Sequence, residues 1–221
     1  MKLNVIITGV TGMVGEGVLH EALLHPDVER VLVLTRRYSG MSHPKLTEIV
    51  VRDFYDLSDI ESQLTGYNAC FFCLGVSVIG KSESEYRHII YDLTMSVAQT
   101  LSKMNPNMTF SYISGKATDS SEHGRLMWAR VKGKTENDLM KLPFKNVYAF
   151  RPGMLLPTPG MKNTLKFYKY ITWLYPLLRA VAPSTVSTLK ELGLSMINIT
   201  INGYPRSIIE VEDIVATATE V

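Results

Sequence analysis

Short runs of β-branched and apolar residues alternate with longer segments of helical periodicity along most of the chain. The first run, Leu3–Thr8, precedes a segment in which Val14, Val18 and Ala22 recur on one helical face. Such an alternation is typical of a parallel sheet that is covered by helices on both faces. The pattern therefore predicts an α/β fold with a doubly wound parallel sheet.

The remaining elements follow from the same pattern. Further strands are predicted at residues 31–34, about 47–51, 69–74, 109–113, 147–150 and 207–211. Helices are predicted from about residue 13 to the His25-Pro26-Asp27 stop, at about 83–104, at about 126–142, and from residue 213 onward. The run at 69–74 is almost wholly apolar, as expected for a strand buried on both faces.

The alternation of short apolar runs with helical segments ends after Arg151-Pro152-Gly153. A loop rich in proline and glycine leads into an aromatic segment at residues 167–175. We expect one domain over residues 1–221, with residues 154–199 as a small C-terminal appendage on the substrate side. Packing against the sheet is the ordinary role for such aromatic residues, and the lining of a substrate pocket or a partner surface is the alternative.

Composition narrows the classes of partner. The formal net charge of the 221 residues is +2, which does not indicate nucleic acid as the main partner. The most apolar stretch, residues 165–182, contains three basic residues and a proline, so no membrane span is predicted. Cys70 and Cys73 lie in a predicted buried strand and indicate packing rather than redox chemistry. We expect a cytoplasmic monomer or homodimer without a metal site.

A glycine-rich turn follows the first predicted strand. Residues 8–15 read Thr-Gly-Val-Thr-Gly-Met-Val-Gly and lead directly into the first helix. In this context Gly9 allows a tight turn, Gly12 lets the backbone approach a pyrophosphate, and Gly15 lets the helix pack close to the strand. The turn therefore predicts a Rossmann-type dinucleotide site, with a purely structural turn as the alternative.

The end of the second predicted strand indicates which dinucleotide is bound. NAD-binding proteins usually carry an acid there for the ribose hydroxyls, whereas this chain reads Leu34-Thr35-Arg36-Arg37. An arginine suits a 2′-phosphate, so we predict a preference for NADP(H), with NAD(H) possible. A solvated basic loop is the alternative. Asp53, after the third predicted strand, could accept a hydrogen bond from adenine or could cap the following turn.

Five segments carry a family resemblance that covers about residues 3–156. Together they resemble the extended and atypical branches of the short-chain dehydrogenase/reductase superfamily, which include the NAD-dependent epimerase/dehydratase-like proteins and the Tat-interacting-protein oxidoreductase subgroup. The segments are Gly9-x-x-Gly12-x-x-Gly15, Cys73-Leu74-Gly75, Ser114-Gly115-Lys116, Val131-Lys132-Gly133-Lys134-x-Glu136 and Phe150-Arg151-Pro152-Gly153-Met154-Leu155.

The resemblance implies a catalytic Ser, Tyr and Lys, of which Ser114 and Lys132 match. Trp128 stands where the family has tyrosine, and indole cannot serve as a general acid or base near neutral pH. Tyr112 and Lys116 also show the Tyr-x-x-x-Lys spacing, but on a strand and its loop this match is accidental. Other groups that could move protons are Tyr86, Tyr91 and His123, although packing or surface roles are their ordinary explanation.

The predicted cofactor contacts come from the loops that follow several of the predicted strands. The cofactor contacts are Gly9, Thr11, Gly12, Met13, Val14 and Gly15 at the phosphates, Arg36 and Arg37 at the 2′-phosphate, Asp53 and Phe54 at adenine, Leu74, Gly75 and Val76 at the ribose side, and Lys132, Pro152, Gly153 and Met154 at the nicotinamide side. The predicted function is an NADP(H)-binding oxidoreductase for a small carbonyl, alcohol or sugar-like compound. The alternative is a non-catalytic NADP(H)-dependent sensor.

Overall fold

A computed structural model describes residues 2–164, 173 and 175–219. Its main sheet has seven parallel strands in the order β3-β2-β1-β4-β5-β6-β9. These strands are β1 (Leu3–Thr8), β2 (Val28–Thr35), β3 (Leu46–Val50), β4 (Ala69–Phe72), β5 (Thr109–Ile113), β6 (Asn146–Phe150) and β9 (Ile208–Ile209). A second, two-stranded parallel sheet joins β7 (Met154–Leu156) to β8 (Val186–Thr188).

Helices connect the strands on both faces of the main sheet. They are α1 (Met13–Leu24), α2 (Glu83–Arg87), α3 (Leu93–Met104), α4 (Met127–Leu139), α5 (Tyr175–Val181), α6 (Leu189–Asn202) and α7 (Val211–Thr217). A π-helical turn, His88–Asp92, joins α2 to α3, and 3₁₀ turns lie at Ser58–Gln63 and Pro183–Thr185. The predicted doubly wound α/β fold of the Rossmann type is thereby confirmed.

The central strands are buried on both faces, as their apolar sequences predict. In β1 the side chains of Val5 and Ile7 belong to one core cluster and that of Ile6 to the other. The first cluster lies beneath α1, α6 and α7, and the second beneath α3. Because helices cover both faces of the sheet, a ligand can reach it only at the strand ends. In doubly wound folds, ligands bind at the carboxyl ends of the strands.

Helix α6 packs along α1 in the first layer. A Cβ on Gly17 would lie 2.9 Å from the Cβ of Leu189, and a Cβ on Gly193 would lie 2.8 Å from the side chain of Glu21. The two helices therefore meet at glycines, which allows a close approach. This contact places the end of the predicted 154–199 segment in the core layer, while its residues 154–156 and 186–188 form the small sheet. Residues 167–172 and 174 of the aromatic segment lie outside the described residues.

Candidate functional site

The glycine turn joins the carboxyl end of β1 to the first turn of α1. Gly9 has a φ of +74°, and a Cβ on it would lie 2.6 Å from the carbonyl carbon of Cys73. A Cβ on Gly15 would lie 2.2 Å from the carbonyl oxygen of Gly9. Real Cβ atoms do not approach backbone this closely, so the fold itself requires glycine at both positions.

Gly12 differs from its two neighbours in the motif. The nearest atom to a Cβ built there is the carbonyl oxygen of Gly9, at 3.4 Å, which is a tolerable contact. The fold alone therefore does not require glycine at this position. A ligand that comes close to the backbone would require it, and this fits the pyrophosphate contact predicted for Gly12.

The first turn of α1 leaves backbone donors available. The first hydrogen bond within the helix runs from Glu16 N–H to the carbonyl of Gly12, at 2.9 Å. The N–H groups of Met13, Val14 and Gly15 precede that bond, so they have no partner within the helix. Together with the helix dipole, these donors favour an anionic group at the start of α1.

The crevice next to this turn lies where the strand order reverses. β1 and β4 are neighbours, and the chain continues outward from them in opposite directions along the sheet. The contact of Gly9 with Cys73 and Leu74 brings the loops after β1 and β4 together at this point. Beyond the contact, Gly75 and Val76 are exposed. The loop after β4 is thus open at the switch point, where doubly wound folds bind their ligands.

A cleft of about 560 Å³ opens on the other side of the glycine turn. Its wall includes Val10 and Thr11 from the turn and Arg37 and Tyr38 from the loop after β2. Arg36 is exposed but does not line this cleft. Of the two arginines predicted to meet a 2′-phosphate, the structure therefore brings one to the cleft beside the phosphate-binding turn.

Two residues predicted to contact adenine have different surroundings. Asp53 is exposed, and its carboxylate accepts a hydrogen bond from the backbone N–H of Tyr55 at 2.8 Å. This is the turn-capping role that the sequence offered as the alternative. Phe54 is buried, and its ring packs in the core cluster beneath α3 rather than facing the open cleft.

Ser114 and Lys132 come together at the carboxyl end of β5. The hydroxyl of Ser114 donates to the carbonyl of Phe150 at 3.1 Å, and Lys132 Nζ donates to the carbonyl of Ser114. Burial lowers the pKa of Lys132 to about 8, while nearby Glu136 acts in the opposite direction. The predicted pair is therefore assembled, and both of its hydrogen-bonding groups contact backbone carbonyls.

A buried ion pair holds helix α4 in place at this point. Arg151 donates through Nε to Glu136 at 3.0 Å, and Glu136 is 1% exposed. The same arginine forms a longer contact, 3.4 Å, with Glu210 at the start of α7. Because Glu136 lies one helical turn after Lys132, this pair sets the position of the lysine relative to β5 and β6.

Trp128 lies one turn before Lys132 on α4 and is half-buried. Its ring packs against a small apolar cluster formed by Tyr86, Ile90 and Val131. An indole in these surroundings supplies shape and apolar surface but no titratable proton.

The other candidate proton carriers are held away from such a role or lie at the surface. Burial raises the pKa of Tyr86 to about 12. Tyr91 donates to Asp138 at 2.7 Å, and burial together with that bond raises its pKa to about 12. Tyr112 is buried in the core beneath α3, while Lys116 donates to the carbonyl of Ser184, so this Tyr-x-x-x-Lys match forms no unit. His123 is exposed in a loop.

The Pro152–Met154 turn approaches the site for a structural reason as well. A Cβ on Gly153 would lie 2.1 Å from the carbonyl oxygen of Thr185, so glycine is needed where this turn meets the 3₁₀ turn before β8. Pro152 is buried, and Met154 begins β7. These residues follow β6, on the same edge of the sheet as Ser114.

One contact beside the glycine turn was not predicted. The carboxylate of Glu16 accepts hydrogen bonds from the backbone N–H groups of Lys162 and Asn163, at 2.8 and 2.7 Å. An acidic residue in the first turn of a helix is a visible signal, but its usual meaning is stabilisation of the helix dipole. Since its partners here are backbone groups far along the chain, no sequence pattern could have identified them.

A doubly wound parallel sheet with a glycine turn at its switch point defines a dinucleotide-binding protein of the Rossmann type. Residues 5–126 match the model of the NAD dependent epimerase/dehydratase family. The chain belongs to that family, and the predicted resemblance is confirmed.

Curated relatives are similar over most of the chain, and solved structures share the fold. Protein fmp52-1, mitochondrial, from Aspergillus terreus is 27% identical over 161 residues, which are 70% of this chain and 68% of that protein. Protein HTATIP2 from Rattus norvegicus is 26% identical over 173 residues, 75% of this chain and 70% of that protein. The Bordetella bronchiseptica enzyme WbmF, solved with NAD⁺, superposes with a TM-score of 0.65 at 13% identity, covering 98% and 77% of the two chains.

The prediction of a cytoplasmic protein is contradicted by these comparisons. Several fungal relatives, among them those from Aspergillus terreus, Candida albicans and Saccharomyces cerevisiae, are named as mitochondrial proteins. Charge and hydropathy of the folded domain do not encode an address of this kind, because targeting signals are separate from the fold. Among the helices formed by the described residues, none is long and apolar enough to span a bilayer.

Proposed function

We propose that this protein binds NADP(H) in preference to NAD(H) and acts as an oxidoreductase on a small carbonyl, alcohol or sugar-like compound. The observation that carries the proposal is the cleft beside the glycine turn, which Arg37 lines from the loop after β2. NAD-binding proteins usually carry an acid at the end of this strand, and none stands there in this chain. Within the described part of the chain, no carboxylate forms an ion pair with this arginine. Family membership and the NAD⁺ complex of WbmF support a nicotinamide dinucleotide.

The residues around the turn fit such a cofactor. The N–H groups of Met13, Val14 and Gly15 would donate to the pyrophosphate, and the open space at Gly12 would admit it. Thr11 and Arg37 would meet the adenosine ribose and its 2′-phosphate. The other predicted contacts that stay in the proposal are Gly9, Arg36, Asp53, Leu74, Gly75, Val76, Pro152, Gly153 and Met154. Phe54 is left out, because its ring is buried in the core beneath α3.

At the other end of the cofactor, Lys132 would hold the nicotinamide ribose and Ser114 would orient the reacting oxygen of the substrate. When bound, NADPH supplies a hydride. Ser114 donates its own proton to the Phe150 carbonyl, so its oxygen is free to accept a hydrogen bond from an alcohol substrate. Trp128 takes the place of the tyrosine that transfers the proton in the family, and we assign no other residue to that step.

A nucleotide titration tests the proposed cofactor preference. Tryptophan fluorescence of the purified protein would be followed with NADPH and with NADH, for the wild type and for Arg37→Ala and Arg36→Ala. We expect tighter binding of NADPH, a loss of that preference of about tenfold in Arg37→Ala, and a smaller loss in Arg36→Ala, which lies outside the cleft. If neither nucleotide binds, the proposed function is wrong and the glycine turn is structural.

A second candidate function is a sensor that binds NADP(H) without turnover. Trp128 favours it, because the side chain at this position packs in an apolar cluster and has no group that titrates near neutral pH. NADPH oxidation would be measured with a panel of small aldehydes and ketones for the wild type and for Trp128→Tyr. Turnover by the wild type would reject the sensor. Turnover by Trp128→Tyr alone would show a competent scaffold that lacks only the proton donor.

A further inference from the structure

The segment 158–163 crosses the first turn of α1 and closes one side of the cleft that holds Arg37. Glu16 fixes this crossing, since its two carboxylate oxygens accept one backbone N–H each, from Lys162 and Asn163. Glu16 is 8% exposed, and its charge is balanced by these two donors and by the start of its own helix. These two hydrogen bonds, from the backbone of Lys162 and Asn163 to Glu16, join α1 to the chain that follows β7, and we call them the clasp.

The clasp places a second cation in the wall of the cleft. Lys162 and Arg37 come from segments far apart in the chain, yet both line the same space of about 560 Å³. Within the described residues, neither side chain forms an ion pair. Glu16 lines the cleft too, but both of its carboxylate oxygens already accept backbone N–H groups. The two unpaired cations therefore favour a dianion in this cleft.

We propose that Lys162 is a specificity-determining residue, which binds the 2′-phosphate of NADP(H) together with Arg37, and that Glu16 is the positioning residue that holds Lys162 there. This inference rests on the proposed function. A phosphate monoester carries close to two charges near neutral pH, and one guanidinium balances only part of them. The ammonium group of Lys162 would supply the remainder from the segment 158–163, which lines the same cleft. NADH lacks the 2′-phosphate, so it gains nothing from this cation.

Two small probes isolate the adenosine half of the cofactor. Binding of 2′,5′-ADP and of 5′-AMP would be measured by calorimetry for the wild type, Lys162→Met and Lys103→Met. Lys103→Met is the matched control, because it removes the same charge from an exposed site in the last turn of α3. We expect Lys162→Met to weaken 2′,5′-ADP by about five- to tenfold and 5′-AMP by less than about twofold, as for loss of a single partly screened charge contact.

The clasp is tested by Glu16→Gln, alone and combined with Lys162→Met. A glutamine can accept only one of the two backbone donors, so we expect a loss of about threefold for 2′,5′-ADP and little change for 5′-AMP. Since Glu16 acts through Lys162, the double variant should bind 2′,5′-ADP no more weakly than Lys162→Met alone. Equal losses for both probes would show that Glu16 only supports the fold and would overturn its positioning role.

The outcomes separate this inference from the proposed function. If the wild type fails to prefer 2′,5′-ADP over 5′-AMP, the proposed NADP(H) preference is wrong, and the role of Lys162 is wrong with it. If the wild type shows the preference and Lys162→Met retains it, only the present inference is overturned. Loss of the preference in Lys103→Met as well would indicate a general charge effect and would also overturn it.

Discussion

One end of the proposed cofactor site is formed by backbone groups, and the other end is formed by side chains. At the glycine turn the contacts are made by backbone, with Gly9 and Gly15 in positions that no side chain could occupy. At the other end, Ser114 and Lys132 are side chains whose hydrogen-bonding groups contact backbone carbonyls. The difference predicts that cofactor binding and turnover can be separated by mutation. In the proposed function, the pyrophosphate contact depends on positions without side chains, whereas proton transfer depends on which side chain stands at position 128.

The largest expected effect, on stability and on NADPH binding together, lies at the glycine turn. In Gly15→Ala the new Cβ would collide with the carbonyl of Gly9, and we expect a loss of about 3 kcal/mol in the free energy of unfolding. Gly12→Ala is the matched control, since its Cβ has room, and it should lose less than about 1 kcal/mol. NADPH should nevertheless bind about tenfold more weakly to Gly12→Ala. Urea unfolding and a nucleotide titration check both; normal NADPH binding by Gly12→Ala would contradict the proposed pyrophosphate contact.

The next prediction concerns the buried ion pair between Arg151 and Glu136, which positions helix α4. Glu136→Gln leaves Arg151 without its buried partner, and we expect the free energy of unfolding to fall by about 3 kcal/mol. Glu83→Gln breaks the more exposed pair with Arg130 and should cost less than about 1 kcal/mol. Urea unfolding of the two variants gives the comparison. Similar small losses for both would mean that the buried pair does not fix helix α4.

A third effect depends on pH and concerns Lys132. Its pKa is lowered from 10.5 to about 8 by burial, so the folded state binds fewer protons than the unfolded state between these values. The cost of burying the charge is full below pH 8 and disappears as the pH rises to 10.5. Lys132→Met should therefore gain up to about 3 kcal/mol over the wild type at pH 7, less any loss of its bond to Ser114.

The measurement for Lys132 is chemical unfolding of both proteins across this pH range. At pH 7 the variant should be the more stable protein. Its advantage should shrink as the pH rises above 8 and disappear near pH 10.5, where the lysine is neutral in the folded state. A difference that stays constant with pH would show that the lysine is charged and solvated in the folded protein. In that case Lys132 is accessible to water, although its Nζ donates to the carbonyl of Ser114.

The smallest effect concerns Ser114. In Ser114→Ala the carbonyl of Phe150 loses the hydroxyl donor but keeps the backbone N–H of residue 114, so we expect a loss of about 1 kcal/mol in unfolding free energy. NADPH affinity should stay within about twofold, because the proposed role of this side chain is toward the substrate. A large loss of NADPH affinity would place the serine in the cofactor site and weaken the separation of the two ends.

Most of the fold could be predicted because its strands are short apolar runs between clear stops. β5 (Thr109–Ile113) was predicted with the observed bounds, since Asn105-Pro106-Asn107 ends the preceding helix. The strand predicted at 69–74 ends at Phe72 instead, because the apolar Cys73 and Leu74 leave the sheet to meet Gly9. Apolar sequence does not distinguish a strand from a loop that packs against another loop.

The π-helical turn at His88–Asp92 was not predicted, because one extra residue per turn leaves the apolar pattern of a long helix nearly unchanged. For the site, local motifs identified the glycine turn and the Ser114–Lys132 pair. The roles of Glu16 and Lys162 depend on backbone partners and on a cleft formed by distant segments, which no local pattern encodes. The cellular address was predicted wrongly, for want of any signal within the folded domain.

The close packing of α1 against α6 also has a consequence for the order in which the protein folds. Helix α1 is synthesised well before Leu189 and Gly193, which contact it at Gly17 and Glu21. A contact between such distant segments closes slowly, because a large loop must be ordered before it forms. The layer that contains α1 can therefore be completed only after residues 189–202 have left the ribosome, and until then α1 lacks its contact with α6.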